Sequence, residues 1–136
     1  MRFFWNEKEK KLAGTVKWDD RTEGPPGCSH GASIMTVFDE VLAYPVWRLG
    51  EAAFTANVNI NLRKPVPFCA YMLFSSSITN VSGRKRFTAA QITDSSGTLY
   101  AEATGIWVTS NGKHRHHALT RPEPDTYASN YFLNLH

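Results

Sequence analysis

Glu23-Gly24-Pro25-Pro26-Gly27-Cys28-Ser29-His30-Gly31 reads as a rigid turn that runs straight into a helix. Pro25 and Pro26 fix φ and cannot join a strand ladder, Gly24 and Gly27 permit a tight turn, and Ser29 is an N-cap candidate. The helix should therefore begin near His30. Behind it, Ile34, Val37, Phe38, Val41 and Leu42 recur at helical spacing, and the pattern runs to Trp47 before Gly50 offers a stop. Pro45 removes a backbone donor and clashes with the preceding turn, so the helix is expected to kink or end near Tyr44. The first turn presents unpaired N–H groups and the positive end of the macrodipole. Small residues at Gly31 and Ala32 let a ligand oxygen come close to that backbone.

Asp39 is the residue that needs a reason. Its neighbours at three and four residues are Met35, Thr36, Leu42 and Ala43, which puts it beside apolar groups, whereas Glu40 turns another way. A carboxylate facing a core without a partner is costly, so it implies a partner or a task. The plainer reading is a surface Asp at a subunit boundary. Nine residues from His30 to Asp39 span about 13.5 Å of helix, whereas attack on a bound carbonyl needs approach to about 3 to 3.5 Å. The helix start and Asp39 can meet only across a twofold axis, each copy lending one of them to a shared site.

Sheet follows the helix. Phe54 to Leu62 alternates, with Phe54, Ala56, Val58, Ile60 and Leu62 on one face and Thr55, Asn57, Asn59 and Asn61 on the other. Three more strands are expected at Cys69–Val81, Arg84–Thr93 and Thr98–Thr109, joined by hairpin-like turns. Ahead of the helix, Arg2–Asn6 and Leu12–Trp18 read as a hairpin. The sum is two strands, one long helix and four strands in meander order, an α+β arrangement of a curled antiparallel sheet against one helix.

This order of elements, with Gly24-Pro25-Pro26-Gly27, His30-Gly31, Asp39, Phe54-Thr55-Ala56-Asn57 and Gly83-Arg84-Lys85, resembles the hotdog-fold acyl-CoA thioesterases. It is most similar to the mammalian long-chain acyl-CoA subgroup and more distantly to the phenylacetyl-CoA type, over roughly residues 3 to 108. The resemblance implies that Gly31 N–H polarises the thioester carbonyl and that His30 helps to position it. It also implies that Asp39 from a partner subunit acts as general base or nucleophile, with Thr55 orienting the water. Asn57 joins the substrate-binding candidates. Coenzyme A carries phosphates, so the cationic groups Arg63, Lys64, Arg84 and Lys85 are candidates to meet them, the alternative being solvated turns. The family usually has a second glycine where this chain has Ala32, and phenylacetyl-CoA relatives carry an Asn upstream where this chain has Pro-Pro-Gly.

The whole-chain numbers fit one domain. A chain of 136 residues with 42% hydrophobic content accommodates a single core. Residues 1–109 form the expected domain and 110–136 a surface tail. A net charge of +3, with aromatics not interleaved with Lys and Arg, argues against nucleic acid. No membrane span, cofactor or metal is expected, and His114, His116 and His117 read as part of a solvated basic tail. Cys28 reads as a free thiol and Cys69 as buried strand filler, in a reducing compartment, cytoplasmic or alternatively mitochondrial. The expected assembly is a homodimer or a dimer of dimers acting on acyl-CoA. Apolar candidates for the acyl tunnel, Phe38, Leu42 and Phe54, suit a fatty acyl or an aromatic group. A non-catalytic acyl-CoA or lipid-binding module is the alternative, and a hydratase or dehydratase is a third whose catalytic spacing this chain does not match.

Overall fold

The computed structural model describes residues 1–110, so the tail beyond Ser110, with His114, His116 and His117, lies outside the described residues. Helix α1 (Gly31–Arg48) stands between two strands before it, β1 (Arg2–Asn6) and β2 (Lys11–Lys17), and four after it. These are β3 (Ala53–Leu62), β4 (Tyr71–Ser82), β5 (Lys85–Thr93) and β6 (Leu99–Thr109). Together they make one antiparallel sheet in the order β1-β2-β4-β5-β6-β3. The helix buries Ile34, Val37, Phe38, Val41, Leu42 and Val46 against Leu12, Met72, Phe74, Ile92 and Trp107 of the sheet. This is the α+β hotdog architecture, one helix wrapped by a curled sheet.

The four late strands are not a simple meander. β4, β5 and β6 follow one another, but β3 pairs with β6 while β4 pairs with β2. The reason lies in the link after β3, where Pro65 and Pro67 have no N–H to close a hairpin. Instead the link crosses under the helix start. Val66 is buried and accepts from Ser29 N–H at 2.8 Å, Cys28 bridges Pro67, and Cys69 N–H donates to Trp18 at 2.7 Å. Cys69 is thus no strand filler: it is exposed, ahead of β4, with φ +62°.

Three further expectations are corrected. Pro45 does not stop the helix, which continues to Arg48 and ends as Gly50 (φ +75°) donates to Trp47 at 2.9 Å. Pro45 and Val46 are buried against the sheet, and that packing offsets the missing donor. In β3 the register slips between Thr55 and Asn57, so Ala56 is a bulge residue and the alternation changes phase. Thr55, opposite buried Trp107, therefore shares the core face with Val58 and Ile60, and Phe54 is 60% exposed on the other face. Of the tunnel candidates, Phe38 and Leu42 are sealed in the core of the chain itself.

Gly105 of β6 shows how closely that core face is filled. The Trp107 indole N–H donates to buried Thr88 Oγ1 at 2.8 Å beside it, and a Cβ at position 105 would come within 2.8 Å of Trp107 Nε1 and 3.0 Å of Thr88 Oγ1. Gly105→Ala should therefore lower stability by about 1 to 3 kcal/mol, read as a fall in the urea midpoint at constant m-value.

Candidate active site

The turn before α1 is built as its residues dictate. Cys28 N–H donates to Pro25 at 2.9 Å and Gly27 has φ +79°, which is a type II turn with Pro26 and Gly27 at its centre. Glu23 carboxylate accepts from Gly27 N–H at 2.8 Å. Gly24 lies against His30, where a Cβ would come within 2.9 Å of the His30 Cα. His30 N–H is held by Thr22 at 2.6 Å. The helix cap is His30 and not Ser29, because the His30 Nδ1 accepts from Ala32 N–H at 3.0 Å. With Nδ1 an acceptor, a neutral His30 ring carries its proton on Nε2. Of the first-turn amides, Ala32 is capped and Ser33 N–H reaches back to His30 at 3.0 Å, while Gly31 N–H has no partner among the described residues.

Gly31 opens onto a cleft of about 310 Å³, walled by Ser29, Ile34, Leu62, Arg63, Lys64 and Val66 among others. A Cβ at Gly31 would come 3.5 Å from Leu62 Cδ1, so the end of β3 adjoins the helix start. The cleft combines an apolar wall, a free backbone donor and cationic side chains. Gly31, Arg63 and Lys64, each singled out in the sequence for its own reason, line this cleft together with Ser29, which the sequence offered only as a cap candidate. Ser29 is 5% exposed and its hydroxyl is buried without a partner among the described residues. An unmade hydrogen bond of that kind costs about 1 to 3 kcal/mol. The signal appears only once His30 is known to be the cap, since the residue before a cap often carries an apolar side chain that packs on the fourth helical residue, here Ile34.

Asp39 is exposed, on the same outward stripe of α1 as Ala32, Met35 and Thr36, and does not face its own core. It lies eight residues beyond Gly31, about 12 Å along the helix. Thr55 lies seven residues before Leu62, about 23 Å back along β3. Neither reaches the Gly31 cleft within one chain. β3 is an edge strand, and Phe54, Thr55, Ala56, Asn57, Asn59, Asn61 and Leu62 along it are exposed.

The cationic candidates divide. Arg63 forms an ion pair with Glu102, and its Nε donates at 3.1 Å. Arg84 donates from Nε and Nη2 to the Thr109 carbonyl at 3.0 and 2.8 Å, which closes the end of β6. The neighbouring Arg86 grips Glu51 through two bonds of 2.7 Å, and that hydrogen-bonded carboxylate raises the arginine above its ordinary pKa. The side chains of Lys64 and Lys85 have no partner among the described residues, Lys64 at the cleft and Lys85 at the opposite end of the sheet. No group of three or more His, Cys, Asp and Glu suited to a metal occurs among the described residues, and no helix there is long and apolar enough to cross a membrane.

Comparison with known proteins adds a family to this geometry. Residues 27–101 match the model of the Thioesterase superfamily. The chain is 34% identical over 106 residues to acyl-coenzyme A thioesterase THEM4 of Bos taurus, covering 77% of this chain and 44% of that protein. It is 25% identical over 107 residues to acyl-coenzyme A thioesterase THEM5 of Homo sapiens, covering 77% and 43%. The chain thus spans less than half the length of these curated relatives. A solved thioesterase superfamily protein superposes with a TM-score of 0.70 at 28% identity, over 74% of this chain and 49% of that one. A hypothetical thioesterase protein of Streptococcus pneumoniae TIGR4, solved with coenzyme A, shares the fold, with a TM-score of 0.69 at 19% identity over 74% and 82% of the two chains. With more than half of its residues inside the family's model, the chain belongs to the thioesterase superfamily.

Proposed function

We propose that this protein hydrolyses an acyl-CoA thioester to a free acid and coenzyme A, as a homodimer or a dimer of dimers. The observation that carries the reading is the Gly31 N–H, without a partner among the described residues, in the wall of a cleft of about 310 Å³ that also holds Lys64. The thioester carbonyl oxygen accepts from that N–H, where the helix start favours the negative charge that develops on attack. Water adds its oxygen to the acyl carbon, Asp39 of the partner subunit takes the proton as general base, and the proton passes to the departing sulfur. Attack by the same carboxylate as nucleophile is the variant of this step. Thr55 of the partner subunit orients the water, and the free His30 Nε2 side helps to position the thioester.

The assignment has two copies pairing their β3 edges in opposite directions, and the exposed edge of β3 supports it. The pairing reverses one strand, so the Thr55 end of one copy comes to the Leu62 and Gly31 end of the other, and two exposed helix stripes bearing Asp39 flank the axis. Asn57 then lies at the seam. The phosphates of coenzyme A meet Lys64, with the partner's Lys85 and the partner's Arg84 brought to the same end, while Arg63 shapes that path through its own partner. The acyl group is a fatty acyl or an aromatic acyl chain.

Asp39→Asn should cut kcat by two orders of magnitude or more while circular dichroism and assembly size stay unchanged; full turnover in that variant would end the mechanism. Thr55→Ala should cost less, since water partly replaces an orienting hydroxyl. Tight acyl-CoA binding by the wild type with no release of free thiol would identify a binding module instead.

Shared sites make a sharper prediction. Gly31→Pro deletes the N–H donor at the first helical position, where proline is tolerated, and His30 already has the extended φ −64° and ψ 138° that a following proline requires. Asp39→Asn and Gly31→Pro homodimers should each be inactive. Unfolded and refolded together, they should recover up to about a quarter of wild-type sites by random mixing of two-site dimers. No recovery would place both groups in one chain's site.

A further inference from the structure

We infer that the Ser29 hydroxyl is a second hydrogen-bond donor to the substrate carbonyl, acting beside Gly31 N–H in the same cleft; this rests on the thioesterase reading above. Three observations converge on it. Ser29 forms part of the cleft wall together with Gly31, Ile34 and Lys64. Ser29 is 5% exposed and its Oγ has no hydrogen-bond partner among the described residues. Its backbone is already occupied, because Ser29 N–H donates to Val66 at 2.8 Å and the residue bridges Glu23, so the hydroxyl is not spent on holding the turn.

Helix-start chemistry sharpens the point. The residue before the cap ordinarily contributes an apolar side chain that staples to the fourth helical residue. Here that partner is Ile34, which is buried at 3% exposure, and an alanine or valine at position 29 would pack against it with no polar group to satisfy. The chain instead keeps a buried hydroxyl on a residue that lines the cleft with Gly31. A neutral carbonyl oxygen is the acceptor that fits. An anion would draw on Lys64, and a ligand donor would leave the Gly31 N–H without an acceptor. The hydroxyl neither gains nor loses its proton; it donates a hydrogen bond that shortens as charge builds on the oxygen, alongside the backbone amide.

The variant to make is Ser29→Ala, with Ser29→Thr as the conservative control. Steady-state turnover of acyl-CoA should fall at least tenfold in kcat for Ser29→Ala with KM within about twofold, and Ser29→Thr should retain most of it. The thermal midpoint of Ser29→Ala should match or exceed that of the wild type, because an unsatisfied hydroxyl has been removed. A purely structural serine would give the reverse, a lower midpoint with kcat intact. Binding separates the carbonyl from the rest of the substrate without any turnover. An acyl-CoA ketone analogue, with a methylene in place of the thioester sulfur, should lose about tenfold in affinity on Ser29→Ala, equivalent to about 1.4 kcal/mol. The thioether analogue, which lacks the carbonyl, should bind both proteins alike. Equal loss for both analogues would place Ser29 on another part of coenzyme A, and no loss for either would leave it without a ligand role; each overturns the inference. A wild type that binds the ketone analogue but releases no thiol would sink the hydrolytic reading and leave the carbonyl contact standing.

Discussion

The backbone hydrogen bonds that clamp residues 22 to 30 against the link between β3 and β4 decide where the helix starts, and the rest of the site depends on that start. Ser29 N–H to Val66, His30 N–H to Thr22 and Gly24 N–H to Cys28 lock the chain before its first helical residue, and the His30 ring then caps Ala32. Each such bond contributes only about 0.5 to 1.5 kcal/mol net. Their larger effect is positional. They leave the Gly31 N–H without a partner among the described residues, presented to a cleft whose other wall is the end of β3 and the link behind it.

The helix then serves two surfaces. Its buried stripe, from Ile34 through Phe38 to Val46, supplies the core on which the sheet curls. Its outward stripe carries Ala32, Met35, Thr36 and Asp39, with Met35 47% exposed, beside an edge strand that leaves Phe54 60% and Leu62 46% exposed. A long edge strand with apolar side chains is a template for pairing. A single chain holds the donor and the carboxylate of the proposed reaction about 12 Å apart on one rigid rod, so chemistry between them belongs to an assembly.

Several features were legible in residues alone because they are local. The Pro-Pro-Gly turn, the helical spacing of Ile34 to Leu42, the strand spans and the small residue at Gly31 follow from backbone sterics and side-chain period over a few residues. What was misread depended on contacts between distant segments. Ser29 and His30 are both chemically able to cap, and the hold of Val66 on Ser29 N–H moved the cap one residue on. The bulge at Ala56 reversed the faces of Phe54 and Thr55 because β6 sets the register of β3. Arg84 looks like a free cation in the sequence, but the Thr109 carbonyl engages it in the fold.

The order of elements, the tight turn and the presence of a helix-start donor with a carboxylate two turns beyond it were determined by the sequence by itself, since each is written in neighbouring residues. Only the tertiary structure decided that β3 lies beside β6, that the link through Val66 passes under the helix, and that Gly31, Ser29 and Lys64 share one cleft. The physical reason is range. Local sterics and periodicity act over a few residues, whereas strand order and cleft composition are set by which distant backbone groups satisfy one another once the core has closed.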